Sequence, residues 1–171
     1  MAIERVGVVG FGLMGSGIAQ VCAQAGYDVL VREVEQRFLD RGFERIDASL
    51  ARLVKGQKLD EAGAKAARGR IRGTTTLAEL GDRELVIEAV VEKIEAKREV
   101  WSELDRICPA GTIFTSNTSS LTIVEMAAGT KRPAQFAGLH FFNPAPVMPL
   151  VEIVRAITTS DETVETLRAF V

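Results

Sequence analysis

His140 is the only histidine in the chain, and it ends the apolar run Phe136-Ala137-Gly138-Leu139. Beyond it come Asn143-Pro144-Ala145-Pro146-Val147-Met148-Pro149 and a second apolar run, Val151 to Val154, that carries Glu152. A proline-ruled turn that brings the second run back beside the first sets the Glu152 carboxylate against the imidazole. Such a partner raises the basicity of a histidine and fixes its tautomer, which is what a general base acting on an alcohol requires. A lone histidine on an apolar strand is more often a satisfied core residue, and the facing acid is what favours chemistry here.

A second stretch suits a phosphate rather than a proton. Val6-Gly7-Val8-Val9 runs into Gly10-Phe11-Gly12-Leu13-Met14-Gly15, an apolar strand breaking into a glycine-rich turn that opens a helix. Gly10 makes the tight turn, Gly12 lets backbone approach a pyrophosphate, and Gly15 lets helix and strand pack closely. The helix N-terminus offers free N–H groups and partial positive charge to the anion. After the Ala-rich helix a Gly26-Tyr27 break precedes a second strand, Val29 to Val31, with Glu33 at its end. A carboxylate there accepts from ribose hydroxyls and repels a 2′-phosphate, so the expected cofactor is NAD(H).

These groups need a scaffold, and the sequence outlines one. Strand and helix patterns alternate from Arg5 to about Leu139, predicting an α/β fold of the Rossmann type: a doubly wound, mainly parallel sheet with helices on both faces. Leu39, Phe43, Ile46, Leu50 and Leu53 mark a long amphipathic helical excursion after the second strand, with Arg45, Ser49 and Arg52 on its other side. The near-continuous apolar run Leu85 to Val91 reads as a buried parallel strand interrupted by Glu88, to which a structural role is assigned. Glu92 and Lys97 flank the start of the next helix, at a spacing that is not that of an ideal helical ion pair. Ser116-Asn117-Thr118-Ser119-Ser120 closes a further strand in the same layer as the glycine loop, and a last helix runs from Asp161.

With 171 residues, 47% hydrophobic and 26% charged, the chain is read as one domain, residues 1–171. The formal net charge of −2 gives no case for nucleic acid, although basic residues gather between Arg52 and Arg72, where an anionic ligand can rest. No apolar run is long enough for a membrane span, and the first strand begins too early to leave room for a signal peptide. Cys22 and Cys108 have neither further cysteines nor a histidine cluster beside them, so no disulfide framework and no metal site is expected, and the setting is read as cytoplasmic.

In combination, GFGLMGSGIAQ, SNTSSL and GLHFFNPAPVM-PLVE resemble the 3-hydroxyacyl-CoA dehydrogenase family, above all its short-chain 3-hydroxybutyryl-CoA members. The resemblance runs through essentially all of the chain. It implies that the loop from Gly10 through Phe11, Gly12, Leu13 and Met14 to Gly15 holds the cofactor, with Glu33 at the ribose, where the family more often has Asp. It places Glu92 and Lys97 in the NAD site, Ser119 and Asn143 near nicotinamide and substrate, His140 as catalytic base and Glu152 as its partner. Ser49 and Lys55 match acyl-CoA contacts more loosely. The implied reaction interconverts (S)-3-hydroxyacyl-CoA and 3-ketoacyl-CoA, with a homodimer as the family's assembly. Family members continue into an all-helical domain that closes the active site, and this sequence ends before it, as an isolated cofactor domain or a fragment.

Two rival readings fit part of the pattern. A non-catalytic NAD-binding relative, crystallin-like or redox-sensing, has no need of Ser119, His140 and Glu152 together. A reductase of small β-hydroxy acids typically relies on a lysine on a later helix, and its patterns do not resemble SNTSS or HFFNP.

Overall fold

The computed structural model describes residues 2–171. Strands β1 (Arg5–Val9), β2 (Asp28–Arg32), β3 (Ile71–Thr74), β4 (Leu85–Glu88), β5 (Ile113–Ser116), β6 (Phe136–Phe141) and β7 (Val151–Val154) form one sheet. Their order is β3-β2-β1-β4-β5-β6-β7, parallel throughout except for β7, which runs antiparallel to β6. The reversal of strand order falls between β1 and β4, and in an open parallel sheet the crevice at that switch point is where ligands bind.

The strands alternate as a sheet covered on both faces must. Val6, Val8, Val29, Val31, Leu85 and Ile87 point into one core, with α1 (Leu13–Gln24), α2 (Gln36–Lys55), α3 (Glu61–Gly69) and α6 (Asp161–Phe170) over it. Leu30, Val86 and Phe114 point into the other, beneath α4 (Ile94–Ile107), the short α5 (Ile123–Ala127) and a 3-10 turn at Leu77–Asp82. Trp101 of α4 is fully buried there, its ring centroid 5.0 Å from Phe114 and 4.9 Å from Phe136. No helix among the described residues is long and apolar enough to cross a membrane.

Register aligns the ends of the strands. Arg32 and Glu88 both lie opposite Val9, and Ser116 lies opposite Glu88, so these residues form one row at the carboxyl edge. β6 extends past that row, which lifts His140 above the edge and opposite Glu152.

One boundary differs from that predicted. The run Leu85 to Val91 is strand only to Glu88: the Ala89 N–H still makes a ladder bond to the Val9 carbonyl (2.8 Å), but the Val90 N–H is taken by the Glu88 side chain (2.8 Å). α1 begins at Leu13 directly after Gly12, so the second half of the glycine loop, Leu13 to Gly15, is the first helical turn.

Phe11, inside that loop, is fully buried and packs edge-to-face on Phe43 of α2. Gly42 makes room for it: a Cβ there would lie 1.9 Å from the Phe11 ring. Gly42→Ala raises helix propensity by about 1 kcal/mol, yet the overpacking costs about 1–3 kcal/mol and should prevail. The variant is expected to show a lower urea midpoint than the parent; an equal or higher one would mean that Phe11 yields freely.

Candidate active site

Around the glycine loop the backbone is set for an anion. Gly10 sits at φ +92°, and a Cβ on it would come within 2.6 Å of the Ala89 carbonyl oxygen. A Cβ on Gly15 would lie 1.8 Å from the Gly10 oxygen, whereas one on Gly12 meets nothing within 4 Å and would project into the open crevice. Gly12 caps α1 with no side chain, so the amides of the first turn remain open. Glu33 is held from below, its Oε1 accepting from the Phe11 N–H (2.7 Å) and its Oε2 from the Val34 N–H (3.0 Å). Each carboxylate oxygen keeps a lone pair for a hydroxyl. From Gly10 and Gly12 a cleft of about 550 Å³ runs past Arg32, Glu33 and Val34 to Val100 and Glu103 of α4. A cradle that admits no Cβ at Gly10 or Gly15, open amides and an acid at the cleft wall fit a dinucleotide. Phe11 takes part only through its backbone: its N–H serves Glu33 and its carbonyl accepts from Arg45 (3.3 Å).

Beside this cleft lies a buried ionic network. Glu88, with no exposed surface, accepts from Lys97 Nζ (2.6 Å), the Val90 N–H (2.8 Å) and the Ser116 hydroxyl (2.6 Å). Lys97 is 1% exposed and also reaches Glu92 Oε2 at 3.1 Å. Glu92 and Lys97 therefore do pair, although helical spacing argued against it: Glu92 precedes α4 and lies in a loop that folds back over the helix start. Glu92 also accepts from the hydroxyls of Thr118 and Ser120. Partial burial works to raise the Glu92 pKa, but the Thr118 and Lys97 hydrogen bonds prevail and hold it below the ordinary carboxylate value.

Above the network a smaller cleft, about 340 Å³, is lined by Met14, Ala89, Glu92, Lys97, Asn117, Ser119, His140, Phe142 and Asn143 among others. His140 Nδ1 lies 2.8 Å from Glu152 Oε2. A carboxylate can only accept, so Nδ1 carries the proton and Nε2 keeps its lone pair. The Phe142 ring, 4.6 Å from the imidazole centroid, confines it from one side. Asn117 was not singled out from the sequence; its Oδ1 accepts from the Phe141 N–H (2.8 Å) and ties the SNTSS turn to the histidine strand. Its only sequence signal was membership of that polar cluster.

A third cleft of about 650 Å³ opens between α1 and α2, lined by Leu13, Gly17, Arg45, Ser49, Arg52, Lys58 and the Asn143–Val147 turn. Ser49 is thus placed beside the site. Lys55 is not: it lines a separate groove between α2 and α3 with Val54, Lys65 and Arg68. Helical rotation explains the difference, since Ser49 and Arg52 share a face that Lys55 has left. Asn143 borders both the second and third clefts.

The family model for the 3-hydroxyacyl-CoA dehydrogenase NAD binding domain matches residues 5–171. A 3-hydroxybutyryl-CoA dehydrogenase of Mycobacterium tuberculosis is 50% identical over 161 residues, 94% of this chain and 56% of that protein. One from Bradyrhizobium diazoefficiens is 44% identical over 169 residues, 99% of this chain and 58% of that protein. The crystal structure of (S)-3-hydroxybutyryl-CoA dehydrogenase from Ralstonia eutropha superposes with a TM-score of 0.96 at 42% identity, covering 98% of this chain and 59% of that one. The chain spans a little over half the length of these curated relatives.

Two outcomes follow from the network. Lys97→Met leaves Glu88 buried without its cation, and the loss of one partner of a buried pair should lower stability by about 3–5 kcal/mol in urea denaturation; a change near zero would show that Ser116 and the Val90 amide suffice. Because the Glu92 pKa is depressed by folding, its contribution is complete above the ordinary carboxylate value and is lost as pH falls through the depressed one. Glu92→Gln should therefore lose less stability than the parent on acidification below pH ~4.3, measured by thermal unfolding across that range; parallel acid limbs would contradict it.

Proposed function

Since the chain belongs to the 3-hydroxyacyl-CoA dehydrogenase family, as its NAD-binding domain, we propose that it carries the cofactor-binding and proton-handling half of an enzyme that interconverts (S)-3-hydroxyacyl-CoA and 3-ketoacyl-CoA. The observation that carries this reading is the His140–Glu152 pair in the cleft beside the glycine loop, with Nε2 unencumbered. Bound NAD supplies the acceptor for the hydride leaving the substrate carbon. The loop from Gly10 to Gly15 holds the pyrophosphate on the open amides of α1, and Glu33 holds the ribose. His140 Nε2 takes the proton of the 3-hydroxyl, and returns it when a ketone is reduced. Glu152 stabilises the imidazolium so formed. Ser119 and Asn143, in the same cleft, steady the substrate oxygen as its charge changes.

The substrate class rests on the third cleft. Arg45, Arg52 and Lys58 set a basic rim beside Ser49 on an otherwise apolar channel that reaches Asn143, which suits the phosphates and pantetheine arm of a CoA ester. A short acyl group, as in acetoacetyl-CoA, is the reading that the named relatives support. Assembly as a homodimer and a cytoplasmic setting belong to the same proposal, the latter supported by two buried free cysteines, Cys22 and Cys108.

The test is oxidation of NADH by this chain with acetoacetyl-CoA, compared with free acetoacetate. Turnover confined to the CoA ester is expected. His140→Gln should lower it by about two to four orders of magnitude while sparing NADH binding; near-normal turnover in that variant would retire the mechanism.

A further inference from the structure

The acid–lysine–acid network does not balance. Lys97 contributes one positive charge, and two carboxylates converge on it: Glu88 from beneath at 2.6 Å and Glu92 from above at 3.1 Å. Glu88 has no exposed surface and draws two further donors from the Val90 amide and the Ser116 hydroxyl, so it is the partner that matches Lys97. Glu92 is the acid left over. Its side chain is 42% exposed and lines the His140 cleft, while Thr118 and Lys97 hold it in place. The ionisable side chains lining that cleft are Glu92, Lys97 and His140, and its net charge with neutral His140 is that of one carboxylate once Lys97 is matched by Glu88.

On the dehydrogenase reading, the nicotinamide ring must lie in this cleft, because the carbon that loses hydride is the one whose hydroxyl faces His140 Nε2. The oxidised ring carries a positive charge and the reduced ring is neutral. A fixed negative charge acts on the first and hardly on the second. We propose that Glu92 is a specificity determinant for the redox state of the cofactor, its unbalanced carboxylate favouring the oxidised over the reduced form. This goes beyond a binding contact: a residue that only accepted a hydrogen bond from the cofactor would change the affinity for both forms alike. It also assigns the buried pair a purpose, since Lys97 anchored by Glu88 holds Glu92 in position without fully cancelling it.

The experiment measures binding, apart from turnover. Dissociation constants for NADH, from its own fluorescence, and for NAD, by competition against it, are compared in the parent, Glu92→Gln and Glu92→Asp. Glu92→Gln retains the side-chain shape and does not alter either member of the Glu88–Lys97 pair, and circular dichroism checks that the fold is kept. It should weaken NAD relative to NADH by roughly three- to tenfold, the size of one partly screened charge a few ångströms from the ring. Glu92→Asp, which keeps the charge, should hold the parental ratio even where both affinities fall. An unchanged ratio in Glu92→Gln, or an equal loss in Gln and Asp variants, overturns the inference while leaving the dehydrogenase reading standing. A parent chain that binds neither form overturns both.

Discussion

A carboxylate with no exposed surface, Glu88, decides the shape of the working edge of this protein. An ion in an apolar sheet is tolerable only when every lone pair finds a donor. Glu88 collects the Val90 amide, the Ser116 hydroxyl and the Lys97 ammonium, and each has a structural consequence. The first ends β4 and turns the chain into the crevice. The second ties β4 to β5 at the row where the strands finish. The third draws a lysine into a helix face otherwise closed by Trp101 and Leu104. Replacing the pair with apolar residues could fill the same volume, but it would not turn the loop or hold Glu92 at the rim.

Three clefts meet around the glycine loop, and the loop's own backbone separates them. Gly10 and Gly12 border the one that runs to Glu33, Met14 the one that holds His140, and Leu13 the one beneath Arg45 and Ser49. The loop can serve all three because its rigidity comes from underneath. Phe11 is locked between Phe43 and Gly42, and its amide is spent on Glu33. Glu33 and the glycine loop are thus one hydrogen-bonded unit, while the histidine strand is joined to the same edge through Asn117 and the Phe141 amide. The glycine loop follows β1, Glu33 follows β2 and His140 is carried on β6 of the same sheet, so loop and imidazole share one edge, the fixed geometry that the proposed hydride transfer needs.

Much of this architecture was legible in the residue order. Strand–helix alternation, the glycine spacing, the acid after the second strand and the antiparallel return to Glu152 were readable because they depend on local periodicity and turn chemistry. The readings that changed concern side chains whose partners are distant in sequence. Val90 belongs to an apolar run, yet it leaves the strand because Glu88 captures its amide. Glu92 and Lys97 pair across a loop, where helical spacing has no bearing. Lys55, matched only loosely to a substrate contact, turns away from the cleft with the pitch of α2.

What the sequence alone determined is therefore the fold type, the course of the glycine loop and the facing of His140 and Glu152, since these arise from motifs in which neighbouring residues specify their own backbone. Tertiary structure decided how the charges are shared: that Glu88 is matched by Lys97, that Glu92 is left over at the cleft, and which face of α2 borders the cleft beneath α1. Ionic partnership in a sheet depends on strand register and helix rotation, and those are set only when the whole chain packs.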